Sequence, residues 1–311
     1  MLALVLYTLL SWRECLNPEE TEKWKQAGKL ARDALHFGKE LIQDKNKMLD
    51  VTERIETYVL DNGGELAFPT NLAVNNVGAH WTPSSKSDEI FSKGDVVKLD
   101  VGVHIDGYIG DNALTVEIDG NKYTKMIEAS REALNAAIDV AAAGVNVGVI
   151  GHAVQDKIEQ YGYRPIANLT GHRIKRYNLH SGISIPSVRE RGGASLSNGD
   201  IIAIEPFVTD GAGRVGGKRN SNIYHLRQIR KIRDEKATEL MIEIRDRYKG
   251  LPFAERWLHK IQDDARKNLQ KLMRAGIVSY YPVLDELGNG IVTQSEHTLL
   301  ITNSGNEVLT K

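Results

Sequence analysis

The chain has 311 residues, 41% hydrophobic and 26% charged, the balance of a soluble globular protein with room for one large domain or two ordinary ones. Its 40 basic and 41 acidic residues leave a net charge of −1, which gives no specific nucleic-acid footprint across the chain as a whole. A single cysteine, Cys15, excludes an intramolecular disulfide framework and a cysteine-based zinc site, and a reducing cytoplasm is the simplest compartment.

Residues 1–10, MLALVLYTLL, are apolar but too few to span a bilayer, and they lack the basic start and cleavage site of a signal peptide. We read residues 1–18 as an N-terminal extension of open role, one that packs on the body or reflects an upstream start codon rather than an anchor. Residues 19–47 place Leu30, Ala34 and Leu41 at helical spacing among charges, which predicts one long surface helix. Asp50 and Glu53 form a capping pair for a second helix ending at Asn62-Gly63-Gly64. Short strands are expected at 66–69 and 72–77, followed by a loop that carries His80.

Residues 95–116, DVVKLDVGVHIDGYIGDNALTV, read as two strands rich in Val, Ile and Tyr around a turn at His104-Ile105-Asp106-Gly107. Each strand has one carboxylate among apolar neighbours, Asp100 and Asp111. With a two-residue loop, either Ile105-Asp106 or Asp106-Gly107, alternation puts both on one face of the hairpin. In the first register they are directly opposite, where like charges repel unless a proton or cation lies between them.

Helices are expected at 123–143 and 147–161, separated by Gly144. Residues 168–184 then carry two histidines eight apart, His172 and His180, among glycine and serine breaks. In 201–207, IIAIEPF, Glu205 is the single charge of an apolar strand; left buried and unpaired it would cost several kcal/mol, about 2–7 or more by transfer measures, or stay protonated. The glycine-rich segment 211–217 lacks the spacing and strand-to-helix context of a phosphate loop. Residues 234–249 and 253–275 read as amphipathic helices broken at Pro252. Strands at 291–294, 297–302 and 307–309 close the chain, with Glu296 at the start of one. Helix pairs followed by strands occur twice, at 19–118 and 123–225, as in a duplicated half. The fold class is α+β.

Asp100, Asp111, one of the two histidines, Glu205 and Glu296 form an oxygen-rich, sulfur-free donor set suited to Mn, Fe, Co, Zn or Mg. Four carboxylates with one imidazole are what a pair of divalent ions would require.

The segments AFPTNLAVNN and GAHWTP, then KLDVGVHIDGYIGDNALTV, NLTGHRIKRYNLHSGISIP, IIAIEPF, LPFAERWL and SEHTLLI, occur in one order across residues 19–311. In these the chain resembles the type 2 methionine aminopeptidases, most closely their archaeal form. The resemblance implies a pita-bread fold, two pseudo-symmetric αβ halves around a central antiparallel sheet, with 19–311 as the catalytic domain and a helical insertion at about 226–282. It implies two divalent metal ions (Co, Mn, Fe or Zn) held by Asp100, Asp111, His172, Glu205 and Glu296. Asp111 and Glu296 would bridge both ions, Asp100 would hold one, and His172 with Glu205 the other.

The implied activity is removal of the N-terminal methionine from nascent proteins and peptides with a small second residue. A metal-bridging water or hydroxide would attack the first peptide bond, with Glu205 as general base. His180 would stabilise the tetrahedral intermediate, and His80 would assist at the scissile amide. Phe68, Pro69, Leu179, Ile223 and Tyr281 match positions near the methionine pocket. Association with the ribosome is compatible with catalysis on nascent chains, and a monomer is the default state. Three residues depart from the family's usual pattern: Trp81, Asn112 and Ser295. Two alternatives remain in view, a proline-specific aminopeptidase or dipeptidase on the same fold and a non-catalytic ribosome- or protein-binding scaffold.

Overall fold

A computed structural model describes residues 17–311, so the expectation for the apolar opening segment lies outside the described residues. The first helix, α1 (Pro18–Leu41), opens with a capping box in which Asn17 and Glu20 satisfy each other's backbone amides, with Pro18 in the first turn. It ends at Leu41, six residues before the expected stop at 47. Lys45 is in the left-handed region and Asn46 donates its side-chain amide to the carbonyl of Leu41, closing the helix end. The second helix, α2 (Met48–Asp61), is not capped by Asp50 and Glu53. Its N-cap is Lys47, without a side-chain bond, and Asp50 instead sits in the first turn, where its charge complements the helix dipole.

Both helices cover one face of a four-stranded antiparallel sheet built on the strands Val96–Ile105 and Tyr108–Glu117. Alternation explains the covering. Val97, Leu99, Val101 and Val103 point into a core shared with Ala31, Leu35, Ile55 and Val59 of the helices. Each such side chain, fully buried, contributes about 1.5–3 kcal/mol. Asp100 and Gly102 therefore fall on the opposite face. The turn residues are Asp106 and Gly107, both with positive φ, and Ile105 pairs with Tyr108. This selects the second of the two registers: Asp100 opposes Ala113, Asp111 opposes Gly102, and the carboxylates are diagonal neighbours on one face rather than directly opposed.

The second half repeats the plan. The helices α3 (Thr124–Val140) and α4 (Val147–Gln160) pack on a five-stranded sheet in which Ile201–Ile204 lies between Thr170–Ile174 and His297–Thr302. Ile202 and Ile204 join the helix core, while Ile201 and Ala203 face the middle of the molecule. The expected strand 201–207 is split at Glu205-Pro206. Proline has no amide to give a ladder, and Phe207–Thr209 pairs in a different sheet. The halves meet where Ala113 bridges Glu296 and Thr115 exchanges hydrogen bonds of 2.8 Å with the backbone of Gln294.

From the strand Asn220–Leu226 the chain enters α5 (Glu235–Tyr248), α6 (Glu255–Leu258) and α7 (Ala265–Arg274), and it returns along Val278–Pro282. The expected helix over 253–275 is thus interrupted. Phe253 and Ala254 pair with Tyr224 and Ile223 as a strand, which holds these helices on their own apolar cluster against the body.

Candidate metal centre

One cavity of about 330 Å³ opens between the two half-sheets. Into it the hairpin sends Asp100 and Asp111; the strand Thr170–Ile174 sends His172; the break after Ile204 sends Glu205; and the bridge to Ala113 sends Glu296. Donor atoms of Asp111, His172 and Glu296, all buried, lie within 4.8 Å of one another. His172 Nε2 is 3.7 Å from Asp111 Oδ2 and 3.6 Å from Glu205 Oε1. Asp111 is held at its backbone, where its amide donates to Thr298 Oγ1 and its carbonyl accepts from the same hydroxyl, both at 2.8 Å. Glu296 accepts from Gln294 Nε2 at 3.3 Å.

The electrostatics are those of a site made for cations. Among the described residues no lysine or arginine lies within ion-pair reach of the four carboxylates; their one partner of that kind is His172. Buried oxygens of Asp100 and Asp111 have no hydrogen-bond partner. Burial pushes Asp100 up to about 7. Burial, followed by repulsion from Asp100 and Glu205, raises Asp111 well above the usual carboxylate range. Burial first, then Asp100, does the same to Glu205, and Glu296 is raised by burial and by its acidic neighbours. Burial drives the imidazole of His172 far below its ordinary value, so it is neutral and free to ligate. A hard, oxygen-rich set with one neutral nitrogen and partnerless oxygens fits divalent metal.

A thermal measurement follows from these shifts. A carboxyl whose folded pKa lies above its unfolded value binds more protons in the folded state, so its contribution to stability is lost as pH rises through the folded pKa. His80, His172 and His180, all held below the histidine norm, act in the opposite sense, but only below about pH 6.5, above which they are neutral in both states. From about pH 7 to about pH 8.5 the carboxylates lower stability as pH rises, while the ammonium of Lys98, held well below its ordinary value by burial, acts in the opposite sense whether or not metal is bound. The Tm of metal-stripped protein should therefore fall relative to that of metal-loaded protein across that interval; scanning calorimetry with and without a chelator checks it, and parallel curves would refute it.

The rest of the cavity is made of side chains suited to an apolar ligand end and a polar reacting end. Phe68, Leu179, Ile223 and Tyr281 line it, as do His80 and His180. Pro69 does not: it lies just behind the wall, its carbonyl accepting from the side-chain amide of Asn71. His180 sits edge-on to His172 with ring centres 4.4 Å apart, and His80 meets Tyr281 at 5.3 Å. Burial, helped by His180, lowers His80 to about 4. Asn112 donates to the carbonyl of Val101 and to no carboxylate. Ser295 bonds Ser130 at 2.9 Å, and Trp81 packs into the first core.

Sequence reasoning passed over Gly102. A Cβ there would run into the Phe68 ring, so this glycine lets the ring pack close against the strand beside the carboxylates. A glycine inside an otherwise β-branched strand is the signal that could have found it. Gly102→Ala should displace Phe68 and raise KM for a methionyl peptide by roughly tenfold, in keeping with an overpacking cost of about 1–3 kcal/mol, while metal content stays the same. An unchanged KM would mean that Phe68 is not a substrate wall.

Residues 22–303 match the model of metallopeptidase family M24. A methionine aminopeptidase of Methanocaldococcus jannaschii is 45% identical over 94% of this chain and 99% of its own length. One from Archaeoglobus fulgidus is 43% identical over 95% of this chain and 100% of its own length. The crystal structure of a methionine aminopeptidase from Thermotoga maritima, 24% identical, superposes with a TM-score of 0.70 over 96% of this chain and 99% of that one, a likeness of fold. The pita-bread architecture, a buried set of metal donors and full-length similarity to the archaeal enzymes converge: the chain belongs to metallopeptidase family M24, among its type 2 methionine aminopeptidases.

Proposed function

We propose that this chain releases the N-terminal methionine from peptides and nascent proteins whose second residue is small, using two divalent ions. The observation that carries the reading is the meeting of five metal donors with an apolar wall and two neutral histidines in one cavity. Asp111 and Glu296 would be shared between the ions, Asp100 would hold one, and His172 with Glu205 the other. When bound, the ions supply Lewis acidity and lower the pKa of water at neutral pH.

The chain's own residues do the rest. Phe68, Leu179, Ile223 and Tyr281 receive the methionine side chain, which fixes the first peptide bond over the carboxylates. Glu205, at the mouth of the strand break, takes the proton from the attacking water. His180, neutral, donates to the carbonyl oxygen as negative charge develops there. His80 meets the scissile amide and helps the nitrogen leave. Departure of the amine breaks the C–N bond, and the proton first taken by Glu205 returns to that nitrogen.

A nascent-chain substrate supports a cytoplasmic site of action and a working place near the ribosome. No helix among the described residues is long and apolar enough to cross a membrane. The deciding assay is hydrolysis of Met-Ala-Ser beside Ala-Pro-Ala by enzyme loaded anaerobically with Mn, Fe, Co or Zn. Methionine release alone, abolished by a chelator, supports the reading. Cleavage of the proline peptide would move the chain to proline-specific chemistry, and metal binding without cleavage of either would favour a scaffold.

A further inference from the structure

His80 has a φ of +57°, a left-handed backbone that a non-glycine side chain keeps only where its surroundings impose it. The local chain does not impose it, since the strand Val77–Ala79 ends immediately before and no helix follows. What holds the segment after His80 comes from distant parts of the sequence. Leu72 donates its amide to the carbonyl of Trp81 at 2.9 Å, and Thr82 donates its own to Ser221 at 3.2 Å. The carbonyl of Thr82 accepts from Asn222 Nδ2 at 2.9 Å. The Thr82 hydroxyl, wholly buried, donates to the carbonyl of Thr70 at 2.7 Å and accepts from Arg256 Nη1 at 2.9 Å.

Arg256 belongs to α6, in the helical insertion. The same Nη1 donates to the carbonyl of Pro83 at 3.0 Å, and Nη2 is paired with Glu56 of α2. Glu56 also accepts from Trp257 Nε1 at 2.7 Å and from the amide of Thr70 at 3.3 Å. The side chains of Arg256 and Glu56 are only 3% and 7% exposed. A buried ion pair is weak as a source of stability, because desolvation consumes most of its attraction. What a planar guanidinium adds is direction: its nitrogens fix two loop acceptors and one carboxylate in a single plane.

We propose that Thr82 and Arg256 are positioning residues for His80, so that the helical insertion sets the place of a catalytic imidazole through the Arg256–Thr82 contact while Glu56 orients the guanidinium. The inference rests on the reading of His80 as a group that meets the scissile amide. The insertion is then part of the catalytic apparatus without touching the substrate through these residues.

The test is a double-mutant cycle on metal-loaded enzyme: Thr82→Val, His80→Ala and the pair, with kcat, KM and bound metal measured for each. Thr82→Val should lower kcat by roughly tenfold, as misplacement of a reacting group does, with KM and metal content unchanged. In the His80→Ala background it should cost nothing more. Equal losses in both backgrounds, or full activity of Thr82→Val, would overturn the proposal. An unchanged kcat in His80→Ala alone would instead overturn the reading of His80 and this inference with it. Should Thr82→Val fail to fold, Arg256→Lys keeps a charge beside Glu56 but loses the fork, and the same cycle applies.

Discussion

Asp111→Asn should lower bound metal and kcat together. The side chain lies at the centre of the donor cluster, within 4.8 Å of His172 and Glu296 donors, and its own backbone is pinned on both sides by Thr298. Asparagine keeps the shape and the backbone bonds but removes one charge and one oxygen donor. If Asp111 serves both ions as proposed, its loss should cost more than the roughly 10–100-fold in affinity or activity that loss of an outer partner of a metal ligand costs. Fold and Tm of the metal-stripped variant should be intact or improved, since one of the mutually repelling carboxylates is gone. Metal analysis and kcat on one preparation check this. Full activity with two bound ions would contradict the assignment.

His180→Ala should behave differently. Its ring lines the cavity beside His172, and its surroundings hold it neutral at physiological pH. A neutral imidazole can donate to a carbonyl oxygen that is gaining charge, and losing such a donor costs about 10²–10³ in kcat. Metal stoichiometry should stay at the wild-type value. A variant that instead loses metal would exchange the roles of His180 and His172.

Much of the site was legible because it is local. Alternation along 95–116 puts Asp100 and Asp111 on one face whichever two-residue loop joins the strands. The loop itself was decidable: a turn with positive φ at both positions disfavours β-branched Ile105, and the structure uses Asp106 and Gly107. Glu205 stood out by its apolar neighbours, although Pro206 already announced that the strand could not continue through it. Convergence of Glu296 with the hairpin was not readable from spacing. It arises from contacts between residues 179 to 187 positions apart, and it entered only through the family resemblance. The helix expected over 253–275 starts late because strand pairing takes Phe253 and Ala254, and it is broken again between Leu258 and Ala265. The Thr82–Arg256 contact joins residues separated by 174 positions, which leave no periodic trace in either segment.

The most direct test of a two-metal centre is anomalous diffraction at the metal edge from crystals grown with Mn or Co. Two peaks should lie in the cavity, about 3.5–4 Å apart, flanked by Asp100, Asp111, His172, Glu205 and Glu296. Metal bound elsewhere, or none in this cavity in an enzyme that still releases methionine, would contradict it.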